Sequence, residues 1–168
     1  QQIKVYNQLA SFWDDSVHQH EIHNFYTSQS AKLVNSEKNL TFAARIFLEN
    51  LRGEKDEAKL GWETKEAIDL FERAIKLNPN NDDLRIGLGS AYIYGKGRNG
   101  NPAETMQGIL ELVNVVKKDS TNMKAQLMVG VGGLVSGQFD KAIMRFQKVV
   151  TAQPDNAEAV AYLADAYA

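Results

Sequence analysis

Apolar side chains recur at helical spacing near the end of the chain. Between 140 and 152, Ala142, Phe146 and Val149 follow one another at offsets of four and three residues, which places them on one face of an α-helix. Pro154 comes next, and proline cannot continue a preceding helix. The pattern therefore predicts an amphipathic helix that ends just before Pro154.

The same apolar stripe occurs earlier in the chain, at Ala67, Phe71 and Ala74, and a proline, Pro79, again follows it. In the later copy, the preceding apolar stretch predicts a partner helix that is joined to the stripe by a short turn. Together the two helices make one helix-turn-helix unit over 123–156. A pattern that recurs in this way predicts an all-α repeat protein.

When the first helix of each unit is aligned with the others, two columns of equivalent residues set the register. The small column consists of Ala10, Ala44, Gly89, Gly130 and Ala164. The column three residues later consists of Trp13, Phe47, Tyr92, Gly133 and Tyr167. We expect two helices to approach closely at the small residues, with the aromatic side chains filling the adjacent space.

The spacing between these columns and the second helices separates fixed from variable parts of the chain. The interval from a bulky residue to the small residue of the next unit is the same in all four cases, which start at Tyr26, Phe71, Leu112 and Phe146. Inside a unit the interval from small to bulky residue differs from one unit to another. Constant spacing between units is typical of a solenoid whose insertions fall in the turn inside each unit.

In these small, aromatic and proline positions the sequence resembles the tetratricopeptide repeat family. The resemblance implies an all-α fold, a right-handed α-solenoid that forms one repeat domain over 1–168. The implied units are 3–36, which is divergent, 37–81 and 82–122, each with an inserted turn, 123–156, and 157–168 as the final helix of an incomplete repeat. Gly108, Ser120 and Gly133 depart from the family pattern, and glycine inside a helix lowers stability.

The resemblance also implies a function: a scaffold that binds a peptide or helix of a partner protein on the concave wall formed by the first helices. The residues expected in that partner-binding groove are Arg45, Leu48, Ile86, Ser90, Ile93, Tyr94, Leu127, Val131, Leu134 and Val135. An open apolar surface of this size needs a covering partner. The alternative interpretation is that tight curvature or the inserted turns bury these residues within the chain.

Some members of the family clamp a C-terminal carboxylate with Lys, Asn and Arg residues on successive first helices. Here only Arg45, Lys38 and Lys124 stand near such positions, and the asparagines are missing. We do not expect that activity.

Composition narrows the classes of partner. The net charge is −2 and no run of Lys and Arg is present, so nucleic acid is not expected as a partner. No apolar stretch reaches the roughly 20 residues of a membrane helix. The chain has no cysteine, which excludes disulfides and thiolate metal sites.

Three motifs resemble metal-binding or nucleotide-binding sequences, but their spacing or position argues against such sites. His18, His20 and His23 have a spacing at which histidines can chelate a metal. They straddle a predicted turn, however, so we interpret them as solvated side chains. The glycine-rich segment 95–102 lacks the spacing of a phosphate-binding loop, so we interpret it as an inserted turn. Gly130 and Gly133 belong to a helix by register, so no dinucleotide fingerprint is present. No catalytic triad pattern occurs, and we predict neither an enzyme nor a cofactor.

The last helix, 157–168, is apolar on most of its circumference, although a terminal repeat should be polar on its outer side. We therefore expect that the natural protein continues past Ala168 or that another chain covers this end, self-association included. An alternative function is a recognition or regulatory arm of a larger enzyme or nutrient-uptake assembly. The start at Gln1 and the absence of cysteine slightly favour an extracytoplasmic (periplasmic or secreted) location.

Overall fold

A computed structural model describes residues 1–97 and 101–168, with the backbone but not the side chain of Lys96. Within these ranges all regular secondary structure is helical, so the predicted all-α fold is confirmed. The helices are α1 Gln2–Asp15, α2 His20–Val34, α3 Glu37–Leu51, α4 Glu57–Leu77, α5 Asp82–Ala91, α6 Pro102–Lys118, α7 Met123–Val135, α8 Phe139–Ala152 and α9 Ala157–Tyr167, with a π-helical segment Tyr92–Gly97 after α5.

The chain forms two compact units, residues 1–87 and 88–168, and α5 begins in the first and ends in the second. In the first unit α1 packs on α2, α2 on α3, and α3 on α4. In the second unit α6 packs on the π-helical segment and on α7, α7 packs on α8, and α8 packs on α9. Each unit is thus built from helices that pack on their neighbours along the chain, as the sequence pattern predicts.

Asparagine side chains fix where three helices of the second unit begin. The Oδ1 atom of Asn122 accepts a hydrogen bond of 3.0 Å from the backbone N–H of Ala125, and Asn156 does the same for Ala159 at 3.0 Å. Asn101 caps α6 in the same way. Each cap satisfies a backbone donor that the helix leaves free and is worth about 1 kcal/mol.

The small residues stand where two helices of one hairpin meet. A Cβ atom at Gly130 would lie 2.4 Å from Cε1 of Phe146, and one at Gly89 would lie 2.7 Å from Cγ of Leu112. No side chain fits at these distances, so only glycine allows the two helices to approach this closely. The predicted close approach is confirmed at both positions.

Phe71 contacts the next helix, α5, close to Gly89. Its ring lies against Gly87, two residues before Gly89, where a Cβ atom would be 2.4 Å from Cε1. A shift of two residues turns the direction of a side chain by about 200° around a helix. The two glycines therefore face different neighbours, since Gly89 faces Leu112 and Gly108.

The insertion predicted as a turn in 37–81 is mostly helix. Only residues 52–56 separate α3 from α4, and α4 has 21 residues where α8 has 14. The Asp56 side chain caps α4 by accepting a hydrogen bond of 2.9 Å from the backbone N–H of Lys59. Most of the extra residues, Gly61 apart, are helix formers that follow a cap, so they extend α4 instead of forming an exposed loop.

The second predicted insertion, in 82–122, includes the glycine-rich segment 95–102. Its first residues, up to Gly97, are π-helical, and Pro102 begins α6. Residues 98–100 lie outside the described residues, so the predicted turn there stays a prediction.

Candidate functional site

Most of the predicted apolar groove is buried within the chain. Six of its ten residues are at most 7% exposed, namely Ile86, Ser90, Ile93, Tyr94, Leu127 and Val131. The prediction that these side chains form an open binding face is wrong. Of the other four, Arg45 is exposed, Val135 is 38% exposed, and Leu48 and Leu134 are half-buried.

Within the second unit, side chains of that unit cover Ile93 and Tyr94. The Tyr94 hydroxyl donates to Sδ of Met128 at 3.7 Å and lies 3.2 Å from the hydroxyl of Tyr162, 68 residues further along the chain. Ile93 lies over Gly132, where a Cβ atom would be 3.0 Å from Cδ1 of Ile93. Of the two interpretations drawn from the sequence, burial within the chain therefore applies to these residues.

A different surface of the second unit is open, and we call it the α6–α8 cleft. It is a cavity of about 530 Å³ lined by Met106, Ile109, Val113, Val129, Gly133, Gln138, Lys141, Met144, Arg145 and Lys148. α6 and α8 form its walls, and α7 lies between them as its floor. No Cα atom of α6 lies within 8 Å of a Cα atom of α8, so the space between these two described helices is not closed by direct packing.

The walls of the α6–α8 cleft present apolar side chains to solvent. On α6, Met106, Ile109 and Val113 follow one another at offsets of three and four residues and so share one face. Met106 is 45% exposed, and Met144 on the opposite wall is 69% exposed. Methionine is flexible and polarizable and adapts to the shape of a partner. Exposed apolar patches of this kind mark interaction sites.

The floor of the cleft contains a residue that departs from the repeat pattern. Phe47 and Tyr92 occupy the same column in other first helices, and both are buried within their own units. A Cβ atom at Gly133 would be only 3.1 Å from the Cβ of Ala142. α8 therefore packs close to the backbone of α7 at this point, where an aromatic ring would not fit, and Gly133 itself lines the cleft.

The α8 wall carries three cations. Lys141 donates to Oε1 of Gln138 at 2.8 Å, Arg145 to Oε1 of Gln126 at 2.7 Å, and Lys148 to the carbonyl of Ser120 at 2.8 Å. All three acceptors are neutral, and among the described residues no carboxylate lines the cleft. The cleft is thus apolar with a positive edge on one side.

A polar cluster lies in the first unit, between α2 and α4. The Lys59 ammonium group lies 2.8 Å from Oε1 of Glu21 and 2.8 Å from Oε2 of Glu54. Hydrogen bonds from Lys59 and from the backbone N–H groups of Asp56 and Lys55 lower the pKa of Glu54 to about 2. The same pairing raises the pKa of Lys59 above its ordinary value.

Glu63 lies next to this cluster and is fully buried. Its Oε1 atom accepts a hydrogen bond of 3.0 Å from the amide of Asn50, whereas Oε2 has no partner among the described residues. Burial raises the pKa of this carboxyl, and the hydrogen bond from Asn50 opposes the shift. The group is enclosed in the core of the unit and is not an open site.

The three histidines contact separate oxygen atoms. The Nδ1 atom of His18 bonds to the carbonyl of Asp14 at 2.9 Å, and Nδ1 of His23 bonds to the carbonyl of Ala10 at 3.1 Å. Nδ1 of His20 lies 3.1 Å from Oδ1 of Asp14. In the described part of the chain, no three His, Cys, Asp or Glu side chains converge in a way that would hold a metal ion.

None of the described helices is both long enough and apolar enough to cross a lipid bilayer.

The sequence matches no protein-family model and no curated protein. Solved structures do match. The crystal structure of the MamA protein superposes with a TM-score of 0.64 at 16% sequence identity, covering 99% of this chain and 81% of that chain. A tetratricopeptide repeat protein from Parabacteroides merdae has a TM-score of 0.54 at 14% identity, covering 99% of this chain and 72% of that one.

A third similar structure contains a bound peptide. It is the second tetratricopeptide domain of the human RPAP3 protein in complex with the HSP70 peptide SGPTIEEVD, with a TM-score of 0.56 and 17% identity, covering 79% of this chain and 98% of that chain. At these identities the likeness concerns the fold. The chain therefore has the helical-repeat fold of tetratricopeptide proteins, as the sequence pattern predicts.

Proposed function

We propose that this chain is a protein-interaction scaffold and that it binds an apolar segment of a partner in the α6–α8 cleft. The observation that carries the proposal is the exposure of Met106 and Met144 on facing walls of a cavity of about 530 Å³. Burying such side chains against a partner stabilises a complex by roughly 25 cal/mol per Å² of apolar surface. The proposed mechanism is recognition, with no chemical step.

The fold supports this proposal, because a similar structure is a repeat domain with a bound peptide. Scaffolds of stacked helices present grooves between their elements, and amphipathic helices dock into grooves through anchors at offsets of three and four residues. The two stripes of the cleft have that spacing. The residues of the predicted groove that stay accessible are Leu134 and Val135 in the second unit and, separately, Arg45 and Leu48 in the first.

A labelled synthetic helix tests the proposal. The probe is a peptide long enough for about five helical turns, with leucines at i, i+3, i+4 and i+7 and glutamine at most other positions, a spacing typical of groove-binding helices. Its binding is measured by fluorescence anisotropy. We expect Met144→Gln to weaken binding by about tenfold, the effect of losing roughly 1.4 kcal/mol of apolar contact.

Leu110→Gln is the matched control. Leu110 is 55% exposed and lies on α6, but it does not line the cleft. Both substitutions replace an exposed apolar side chain, so both should leave stability within about 0.5 kcal/mol of the original chain. Equal affinities of the two variants, or no binding of the peptide to the original chain, would remove the cleft from the account.

A further inference from the structure

We infer that the partner segment in the α6–α8 cleft is an acidic amphipathic helix whose carboxylates lie along one flank of its apolar stripe. This inference rests on the proposed function and adds the chemistry of the partner. It follows from three features of the cleft: its length, the sign of its charge, and the separation of apolar and cationic side chains between its two walls.

The length of the cleft fits about two helical turns. On α6 the lining residues run from 106 to 113, and on α8 from 141 to 148. At 1.5 Å per residue each row is about 10 Å long. A partner helix that lies along such a row presents three or four apolar side chains at i, i+3, i+4 and i+7.

The charge of the cleft is positive although the chain as a whole is slightly acidic. Lys141, Arg145 and Lys148 line it, and no described Asp or Glu does, whereas the net charge of the chain is −2. At one end of the row, hydrogen bonds from Thr121 lower the pKa of the Asp119 carboxyl, and the charge of Lys148 adds to that shift. Lys141 and Arg145 bond to amide oxygens of glutamine, so a carboxylate is the partner that best complements this row.

The two walls differ, which sets the arrangement of charge on the partner. The α6 wall is apolar through Met106, Ile109 and Val113, and the cations that line the cleft are on α8. Carboxylates on the α6 side of the partner would face this apolar wall. The matching helix therefore carries Asp or Glu on the flank that faces α8, next to its apolar anchors.

The energetic role of the cations follows from their exposure. Lys141 and Lys148 are exposed and Arg145 is half-buried, and exposed ion pairs contribute only about 0 to 1 kcal/mol each. Exchange of a neutral oxygen for a carboxylate also gives a stronger, charge-assisted hydrogen bond. The apolar anchors thus supply most of the affinity, and the cations select the sign of the partner's charge and make binding salt-dependent.

Three synthetic peptides test this inference. They share one leucine stripe and carry Glu, Gln or Lys on one flank, and their binding to the full chain is measured by fluorescence anisotropy at low and high salt. We expect the Glu peptide to bind about tenfold more tightly than the Lys peptide, with the Gln peptide between them. High salt should reduce that difference.

A charge-reversal variant identifies the side chains responsible. The double substitution Lys141→Glu, Lys148→Glu should reverse the order, so that the Lys peptide binds more tightly than the Glu peptide. Lys117→Glu is the control, since Lys117 is an exposed cation on α6 that does not line the cleft, and it should leave the order unchanged.

The outcomes separate this inference from the proposed function. If the Glu and Gln peptides bind equally and Met144→Gln still weakens both, the inference of an acidic partner is wrong, whereas the proposed binding of a helix in the cleft stands. Absence of binding by all three peptides would remove the cleft as a protein site altogether. Binding of decanoate at the cleft without any peptide binding would identify a small apolar carboxylate as the occupant and overturn the inference.

Discussion

The Glu63 carboxyl is the residue whose chemistry depends most on its surroundings in the first unit. It is fully buried, and only Oε1 has a hydrogen-bond partner among the described residues, the amide of Asn50. Burial raises its pKa above the ordinary value of 4.5, because the charged form loses its water. The folded chain therefore holds this proton more tightly than the unfolded chain does.

The sign of the pH dependence follows from that raised pKa. The contribution of Glu63 to stability is most favourable below its ordinary pKa and declines as the pH rises towards the raised value. We expect Glu63→Gln to increase the free energy of unfolding at pH 7 by about 1 kcal/mol, since an uncharged amide costs less to bury and its oxygen still accepts from Asn50. Urea unfolding at several pH values measures the difference.

The gain from Glu63→Gln should shrink as the pH falls from neutral towards about 4.5, the ordinary pKa, and should stay constant below it. Glu54→Gln is the contrasting variant, because the pKa of Glu54 is lowered to about 2 and its charged form is the stabilised one. That variant should be less stable than the original chain at pH 7. A destabilised Glu63→Gln at neutral pH would contradict the account of the buried carboxyl.

Single residues also show where prediction from sequence ends. Gly133 stands out in the sequence as a missing aromatic side chain, and the structure places the cleft at that position. Nothing in the sequence indicates that Tyr94 is buried. Its burial depends on Tyr162, 68 residues away, and the register of the repeats gives the side of a helix on which a residue lies but not what fills the space beside it.

At the scale of helices, the close approach within a hairpin depends on glycine. The ring of Phe146 lies where a side chain at Gly130 would be, with 2.4 Å between Cε1 and the added Cβ. We expect Gly130→Ala to destabilise the second unit by about 1 to 3 kcal/mol, the usual effect of overpacking a core. Urea unfolding followed by circular dichroism measures this effect.

Gly61→Ala provides the matched control for that substitution. Gly61 also lies inside a helix, α4, but nothing stands within 4 Å of its added Cβ. Alanine should stabilise this helix by about 0.5 to 1 kcal/mol, because it restricts the unfolded chain and favours helix. If the two variants changed stability in the same direction, the tight contact at Phe146 would not be the reason that glycine is required.

Helix lengths were only partly predictable. The constant interval between units reflects stacking that permits no insertion, so the positions of the later helices followed from the sequence. The sequence pattern predicts a turn for the insertion in 37–81, whereas most of it lengthens α4. A count of residues locates an insertion, but helix propensity and the cap at Asp56 decide whether it becomes loop or helix.

At the scale of the whole molecule, the fold was predictable because it repeats. The same small, bulky and proline positions recur in several units, and each recurrence tests the others. The binding surface was not predictable in the same way. Within the second unit the expected face is filled by Tyr94 and its neighbours, and the accessible apolar side chains lie instead between α6 and α8.

Methionine methyl groups report on the central claim most directly, because the chain has four methionines and they divide into two pairs. Met106 and Met144 line the α6–α8 cleft, whereas Met123 and Met128 do not, and Met128 is buried. In a titration of methyl-labelled protein with the Glu-flanked peptide, we expect the NMR signals of Met106 and Met144 to shift and those of Met123 and Met128 to stay in place. Shifts confined to Met123 and Met128, or no shift in any methyl signal at saturating peptide, would contradict the proposal that this cleft holds the partner.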